Sequence, residues 1–109
     1  MRGLVIVFLR RLWQKSGMST PEVIDNTAAH RFEIAIDGHL SVADYRIEDG
    51  RMILPHTEVP AALQGQGIAG KLVKAALESA RKQGLKVVPL CSYVAVYMDR
   101  HREYDDLRE

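Results

Sequence analysis

From Arg31 to Asp37 the chain alternates, with Phe32, Ile34 and Ile36 on one side and Arg31, Glu33 and Asp37 mostly on the other. That period belongs to a half-buried strand. Asp37-Gly38 then supplies the left-handed conformations of a tight hairpin turn. Leu40 to Glu48 forms a second strand, with Ala43, Tyr45 and Ile47 spaced by two, and Asp49-Gly50 repeats the turn signal before a third strand from Arg51 to Val59. Two such turns between three alternating runs predict an antiparallel meander.

After Pro60 the period changes. From Ala69 onward Leu72, Val73, Ala76, Leu77 and Ala80 follow helical spacing, while Lys71, Lys74, Glu78, Arg81 and Lys82 take the other side. Glu78 and Lys82 form a favourably oriented i,i+4 pair, and Gly84 ends the helix. Lys86 to Leu90 is short and apolar, the signature of a buried strand, here parallel to the third across a right-handed crossover. Ser92 can cap a second helix running to about Arg100. The charge-dense stretch from Asp99 to Glu109 reads as a solvated tail. The predicted fold is therefore α/β in the α+β sense: a mixed sheet built from a three-stranded antiparallel meander, then a helix, a parallel strand and a C-terminal helix.

Composition narrows the class. The 109 residues suit one small domain, and 47% hydrophobic with 27% charged residues is ordinary for a globular chain. The net charge of +1 is unevenly spread: Arg2, Arg10, Arg11 and Lys15 precede any acid, and from Met18 onward 11 basic residues face 14 acidic ones. Outside that basic start nothing argues for nucleic acid. Residues 3–9 form an apolar run too short to span a bilayer. They lack a small-x-small cleavage site. Residues 1–17 are accordingly expected to be an unstructured leader with Met18 as the true start; a membrane-surface or packing helix is the alternative. The domain is then 18–109. The single cysteine, Cys91, excludes an internal disulfide and suits a reducing, cytoplasmic compartment. No membrane partner and a monomer or weak dimer are expected.

The densest chemistry lies in Leu63-Gln64-Gly65-Gln66-Gly67-Ile68-Ala69-Gly70-Lys71. Glycines there permit a tight turn that exposes N–H groups, and the following helix adds partial positive charge, a seat for a phosphate or pyrophosphate. Three patterns overlap. Residues 65–70 satisfy the dinucleotide fingerprint G-x-G-x-x-G, but the acid it wants about 20 positions on is not at the end of the next strand, where Leu90-Cys91-Ser92 stands. Gly65 through Gly70-Lys71 begins a P-loop, yet Leu72 stands where a magnesium-binding hydroxyl belongs. The third pattern is Gln-x-x-Gly-x-Ala, carried by Gln64, Gly67 and Ala69.

In that third pattern the sequence resembles the GNAT superfamily of acetyl-coenzyme A-dependent N-acetyltransferases, and a branch of very short, single-domain members in particular. The run from His56-Thr57-Glu58-Val59 through Gln64-Gly65-Gln66-Gly67 to Pro89-Leu90-Cys91-Ser92-Tyr93 carries the likeness. The resemblance implies acetyl-coenzyme A as cosubstrate, with no metal. Glu58, Val59, Gln64, Gly65, Gln66, Gly67, Ile68, Ala69, Gly70 and Cys91 are then the binding residues, the main-chain N–H groups from Gln64 to Gly70 gripping the diphosphate. It also implies a bulged strand and a V-shaped gap for the pantetheine arm. Pro55 and Pro89 fit such a gap, since neither donates to a ladder; they could equally mark strand ends.

Acetyl transfer needs a neutral amine, oxyanion stabilisation and a proton for the departing thiolate. His56 and Glu58, two apart on the third strand, share a face, and either can take the amine proton; an ordinary strand histidine and a rim carboxylate are the plain alternatives. Cys91, before the second helix, stands where a helix N-terminus favours thiolate. It can accept acetyl covalently, or act only as a small buried hydrophobe. Tyr93 and Tyr97 share a face of that helix. The resemblance makes Tyr97 the candidate acid for the coenzyme A thiolate, with core packing as the alternative. Arg100, His101 and Arg102 could reach a cofactor phosphate. Trp13, His30, His39 and His101 show no ligand spacing, so no metal is expected. The reading is an N-acetyltransferase acting on a primary amine, a protein or peptide lysine suiting a shallow acceptor side. A non-catalytic coenzyme A-binding module is the alternative.

Overall fold

The computed structural model describes residues 21–109; the leader expected over residues 1–17, the Met18 start and Trp13 lie outside them. Five strands form one sheet in sequential order: β1 (Ile24–Asn26), β2 (Arg31–Ile36), β3 (His39–Glu48), β4 (Arg51–Glu58) and β5 (Lys86–Val88). Neighbours are antiparallel from β1 to β4, and β5 runs parallel to β4. Both hairpins turn where the sequence predicts, with positive φ at Asp37 (50°) and Gly38 (77°), and at Asp49 (52°) and Gly50 (75°). Two consecutive positive values are what the turn matched to strand twist requires.

The alternating runs bury one face. Phe32, Ile34, Ala43, Tyr45, Met52, Leu54 and Val87 point inward. The helix α1 (Ile68–Gln83) covers them with Ile68, Leu72, Val73, Ala76, Leu77 and Ala80. Gly84 closes α1 at φ 69°, and the Leu85 N–H reaches back to the Ala80 carbonyl at 2.9 Å. That bond and the left-handed glycine make a Schellman-type stop. The second helix, α2 (Ser92–Arg100), buries Val94 and Met98. Its N-cap is Cys91; Ser92, expected to cap it, is already helical.

The meander's register breaks once. On the β3–β4 ladder Asp44 pairs with His56 but Arg46 pairs with Ile53, so Leu54 and Pro55 together oppose Tyr45. This is a bulge on β4, a place where a proline is tolerated because the ladder is already interrupted. On the other side, β4–β5 pairing ends at Ile53 and Val88. Pro89 follows, the Leu90 N–H folds back to the Val88 carbonyl, and a single further rung joins the Cys91 N–H to the Leu54 carbonyl at 2.9 Å. Beyond it the strands part. Pro89 thus marks a strand end, whereas Pro55 sits within a strand at its bulge.

The charged C-terminal stretch is not a solvated tail. A 3₁₀ segment, Arg102–Leu107, buries Tyr104 and Leu107. The Tyr104 hydroxyl donates to Glu78 at 2.6 Å, so Glu78 serves this contact rather than the expected pairing with Lys82. Burial and that carboxylate push the phenol of Tyr104 up. Arg81 grips Asp106 with its two terminal guanidinium nitrogens, at 2.8 and 3.0 Å, and donates to the Glu103 carbonyl. The Glu109 N–H meets the Val87 carbonyl at 3.0 Å, covering the outer edge of β5. Leu107→Ala should therefore cost about 2 kcal/mol in urea denaturation, the low end for a buried leucine. A change below about 0.5 kcal/mol, typical of a surface site, would show the segment to be peripheral.

Candidate functional site

The loop before α1 is shaped by its glycines. Gly65 sits at φ 84° and Gly67, the N-cap of α1, at φ 75°, a region costly for any residue with a Cβ. The N–H groups of Gly65, Gln66, Gly67, Ile68, Ala69 and Gly70 have no acceptor among the described residues. Gln64 departs from expectation: its N–H is taken by the Ala61 carbonyl at 3.3 Å, and its side-chain amide donates to the Val59 carbonyl at 3.1 Å. It braces the loop against the end of β4. The six free donors at the start of a 16-residue helix form an anion seat, the partial charges of the helix end adding to them.

This seat opens on a cleft of about 320 Å³. It is lined by Val59 and Leu63 from the end of β4 and the turn after it, by the loop and first turn of α1, and by Tyr93 of α2. Of the sequence-predicted binding residues, Gln66 is exposed outside the cleft lining. Gly70 lies behind it, where an added Cβ would be 3.6 Å from the Tyr93 hydroxyl and 3.7 Å from the Tyr97 ring. Glu58 and Cys91 stand beyond the cleft, at the parted strands.

The β4 bulge sets which side chains meet there. Past it the alternation restarts, leaving Thr57 half-buried and turning His56 and Glu58 to solvent. His56 Nε2 and Glu58 Oε1 are 3.4 Å apart, so the two share a face as predicted. Thr57 points to the opposite face, and its hydroxyl lies 3.5 Å from Cys91 Sγ. Cys91 is thus joined to Thr57 rather than to His56 or Glu58, which flank the gap from the open side of the sheet. Burial alone would push the Cys91 thiol up. The Thr57 hydroxyl and the main-chain N–H groups of Val94, Tyr93 and Thr57 outweigh it, and the thiol is held below its ordinary range. The sulfur makes no full capping hydrogen bond, so this is a field of several donors rather than one strong bond.

Thr57 was the residue that sequence reasoning missed. Simple alternation groups it with neither His56 nor Glu58 and gives it no role; only Pro55, as a bulge marker, signals that it turns to the gap. Tyr97 is half-buried, its ring stacked on His101 at 3.8 Å, and burial, then Glu103, Tyr93 and Glu78, push its phenol up. It holds its proton at neutral pH. Tyr93, more exposed, is the tyrosine that reaches the cleft.

Residues 31–107 match the family model described as GCN5-related N-acetyl-transferase. Protein NATD1 of Gallus gallus and of Mus musculus are each 47% identical to this chain over 45 residues, 41% of this chain and 41% of theirs. The matched stretch thus spans about two fifths of the length of those relatives. The solution structure of a GCN5-like putative N-acetyltransferase from Staphylococcus aureus is similar at a TM-score of 0.67 and 30% identity, covering 84% of this chain and 91% of that one.

With one cysteine in the sequence, thiol reactivity reads Cys91 alone. The pH midpoint for iodoacetamide alkylation should lie below that of an unperturbed cysteine, and Thr57→Val should raise it; an unmoved midpoint would remove Thr57 from the account. Because the folded thiol titrates lower than the unfolded one, its contribution to stability is present above the unfolded value and fades as pH falls through the folded one.

Proposed function

Because the chain belongs to the GCN5-related N-acetyltransferase family, we propose that it binds acetyl-coenzyme A and passes the acetyl group to a primary amine, with protein or peptide lysine as the acceptor class. The row of free main-chain donors over residues 65–70, facing a cleft beside parted strands, carries this reading. Those donors suit a diphosphate. The β4 edge past Leu54, left without a strand partner on its β5 side, suits the amides of a pantetheine arm. Val59 and Leu63 supply apolar wall.

His56 or Glu58 takes the proton of the attacking amine, directly or through water; both stand exposed on the open face, where a bulky acceptor can approach. Tyr97 gives its proton to the departing coenzyme A thiolate. Cys91 offers a covalent variant. Its thiolate attacks the thioester carbonyl, the carbon–sulfur bond to coenzyme A breaks, and the amine then displaces the acetyl group from Cys91. A non-catalytic coenzyme A-binding module is favoured by one observation: side-chain exposures of 55% for His56 and 70% for Glu58 leave an acceptor unwalled.

Coenzyme A should raise the melting temperature on either reading, as any ligand selective for the folded state does. Only the enzyme releases free thiol from acetyl-coenzyme A when an amine is present. No thermal shift with millimolar coenzyme A would end both. Gly67→Ala, which forces a side chain into φ 75°, should cost roughly 1–2 kcal/mol in that conformation and weaken coenzyme A about tenfold. Cys91→Ala with unchanged turnover would leave direct transfer, while a loss of turnover with coenzyme A affinity intact marks the covalent route.

A further inference from the structure

Residues directly opposite each other in an antiparallel ladder share a face, with Cβ atoms about 4.5–5.5 Å apart. On the sheet face turned away from α1, one such row runs Arg31, Asp44, His56 and the next Glu33, Val42, Glu58. Asp44 is thus the β3 neighbour of His56, at the mouth of the gap, and Val42 is the neighbour of Glu58.

The ion pairs of this face leave one charge over. Arg31 donates to Glu33, which also accepts from Asn26, so the cation beside Asp44 is already taken. His56 stands 3.4 Å from Glu58. Among the described residues Asp44 has neither an ion pair nor a hydrogen bond through its side chain. The other carboxylates there without a partner, Glu22, Asp37 and Glu103, are exposed, whereas Asp44 is half-buried. A carboxylate drawn partly out of water with no donor carries an uncompensated cost, and a cation brought by a ligand removes it.

We propose that Asp44 selects the acceptor by a second positive charge, holding a lysine or arginine two residues away from the lysine that is acetylated. The inference rests on the acetyltransferase reading above, with peptide lysine as the acceptor. It adds a residue that neither binds the cofactor nor moves a proton. The spacing follows from strand geometry. Alternate residues of an extended peptide share a face, so a lysine entering at His56 and Glu58 presents its second neighbour, not its first, to the same surface. Val42, half-buried beside both acids of its row, gives the aliphatic stem of a long cationic side chain an apolar seat.

Thiol release from acetyl-coenzyme A by the full chain, measured with two capped peptides, Lys-Ala-Arg and Lys-Ala-Gln, tests the contact. The unaltered protein should show kcat/KM about tenfold higher for Lys-Ala-Arg, the margin of one charge-assisted contact, with the difference in KM rather than kcat. Asp44→Asn, which keeps the shape and removes the charge, should bring the ratio close to one. Asp37→Asn removes an exposed acid at the turn between β2 and β3 and should keep the wild-type ratio, which separates a local contact from the overall charge of the surface. Equal kcat/KM for the two peptides in the wild-type protein, an unaltered ratio in Asp44→Asn, or an equal fall in Asp37→Asn overturns the assignment and leaves the acetyltransferase reading standing. Thiol release with neither peptide overturns the peptide-lysine reading and this assignment with it.

Discussion

Leu54 and Pro55 share the space opposite one residue of β3, and the geometry of the whole site follows from that extra residue. An insertion of one position in a strand reverses which side chains face inward and which main-chain groups face each neighbour. Before the bulge, Met52 and Leu54 fill the core. After it, Thr57 turns toward Cys91 while His56 and Glu58 turn to solvent. At the same level Pro89 ends β5, so pairing on that side stops one rung later, at the Cys91 amide and the Leu54 carbonyl, and the gap opens beside the loop.

The remaining parts hold that gap in register with the anion seat. Gln64 ties the loop to the last residue before it turns away from the sheet, Val59. The apolar stripe of α1 fixes the helix on the inward face of the sheet, so its free N–H groups open at the same end of the sheet as the parted strands. Behind them the C-terminal segment locks α1 in place: Tyr104 on Glu78 and Arg81 on Asp106 join residues far apart in sequence. The Arg81 pair is exposed, and such pairs contribute little by themselves; the buried Tyr104 and Leu107 carry the docking. A small sheet covered by one long helix thus gains a second apolar contact from residues whose neighbours are nearly all charged.

Much of this was legible. Asp-Gly pairs between alternating runs specify their hairpins locally, and the 3.6-residue stripe from Leu72 to Ala80 has one interpretation; both signals survive into the structure because tertiary packing agrees with them. The glycine loop was legible too, since left-handed positions at 65 and 67 demand that residue type. What failed did so for nameable reasons. β1 spans three residues, Ile24–Asn26, too few to show a period, and two of them disfavour strands. The tail misled because Arg102, Glu103, Asp105 and Asp106 dominate its composition while Tyr104 and Leu107, three apart, do the packing. Thr57 was invisible because period-two reasoning assumes an unbroken ladder. Gln64 was assigned a donor role that its own 3₁₀ turn already uses.

The single rung from the Cys91 amide to the Leu54 carbonyl fixes the main chain of residue 91 from the sheet side. Its anchor is main chain, so the scaffold at this position is indifferent to what hangs from the α-carbon. A serine or an alanine at residue 91 keeps that main-chain rung, which makes the position a chemical reporter of what the sulfur itself contributes.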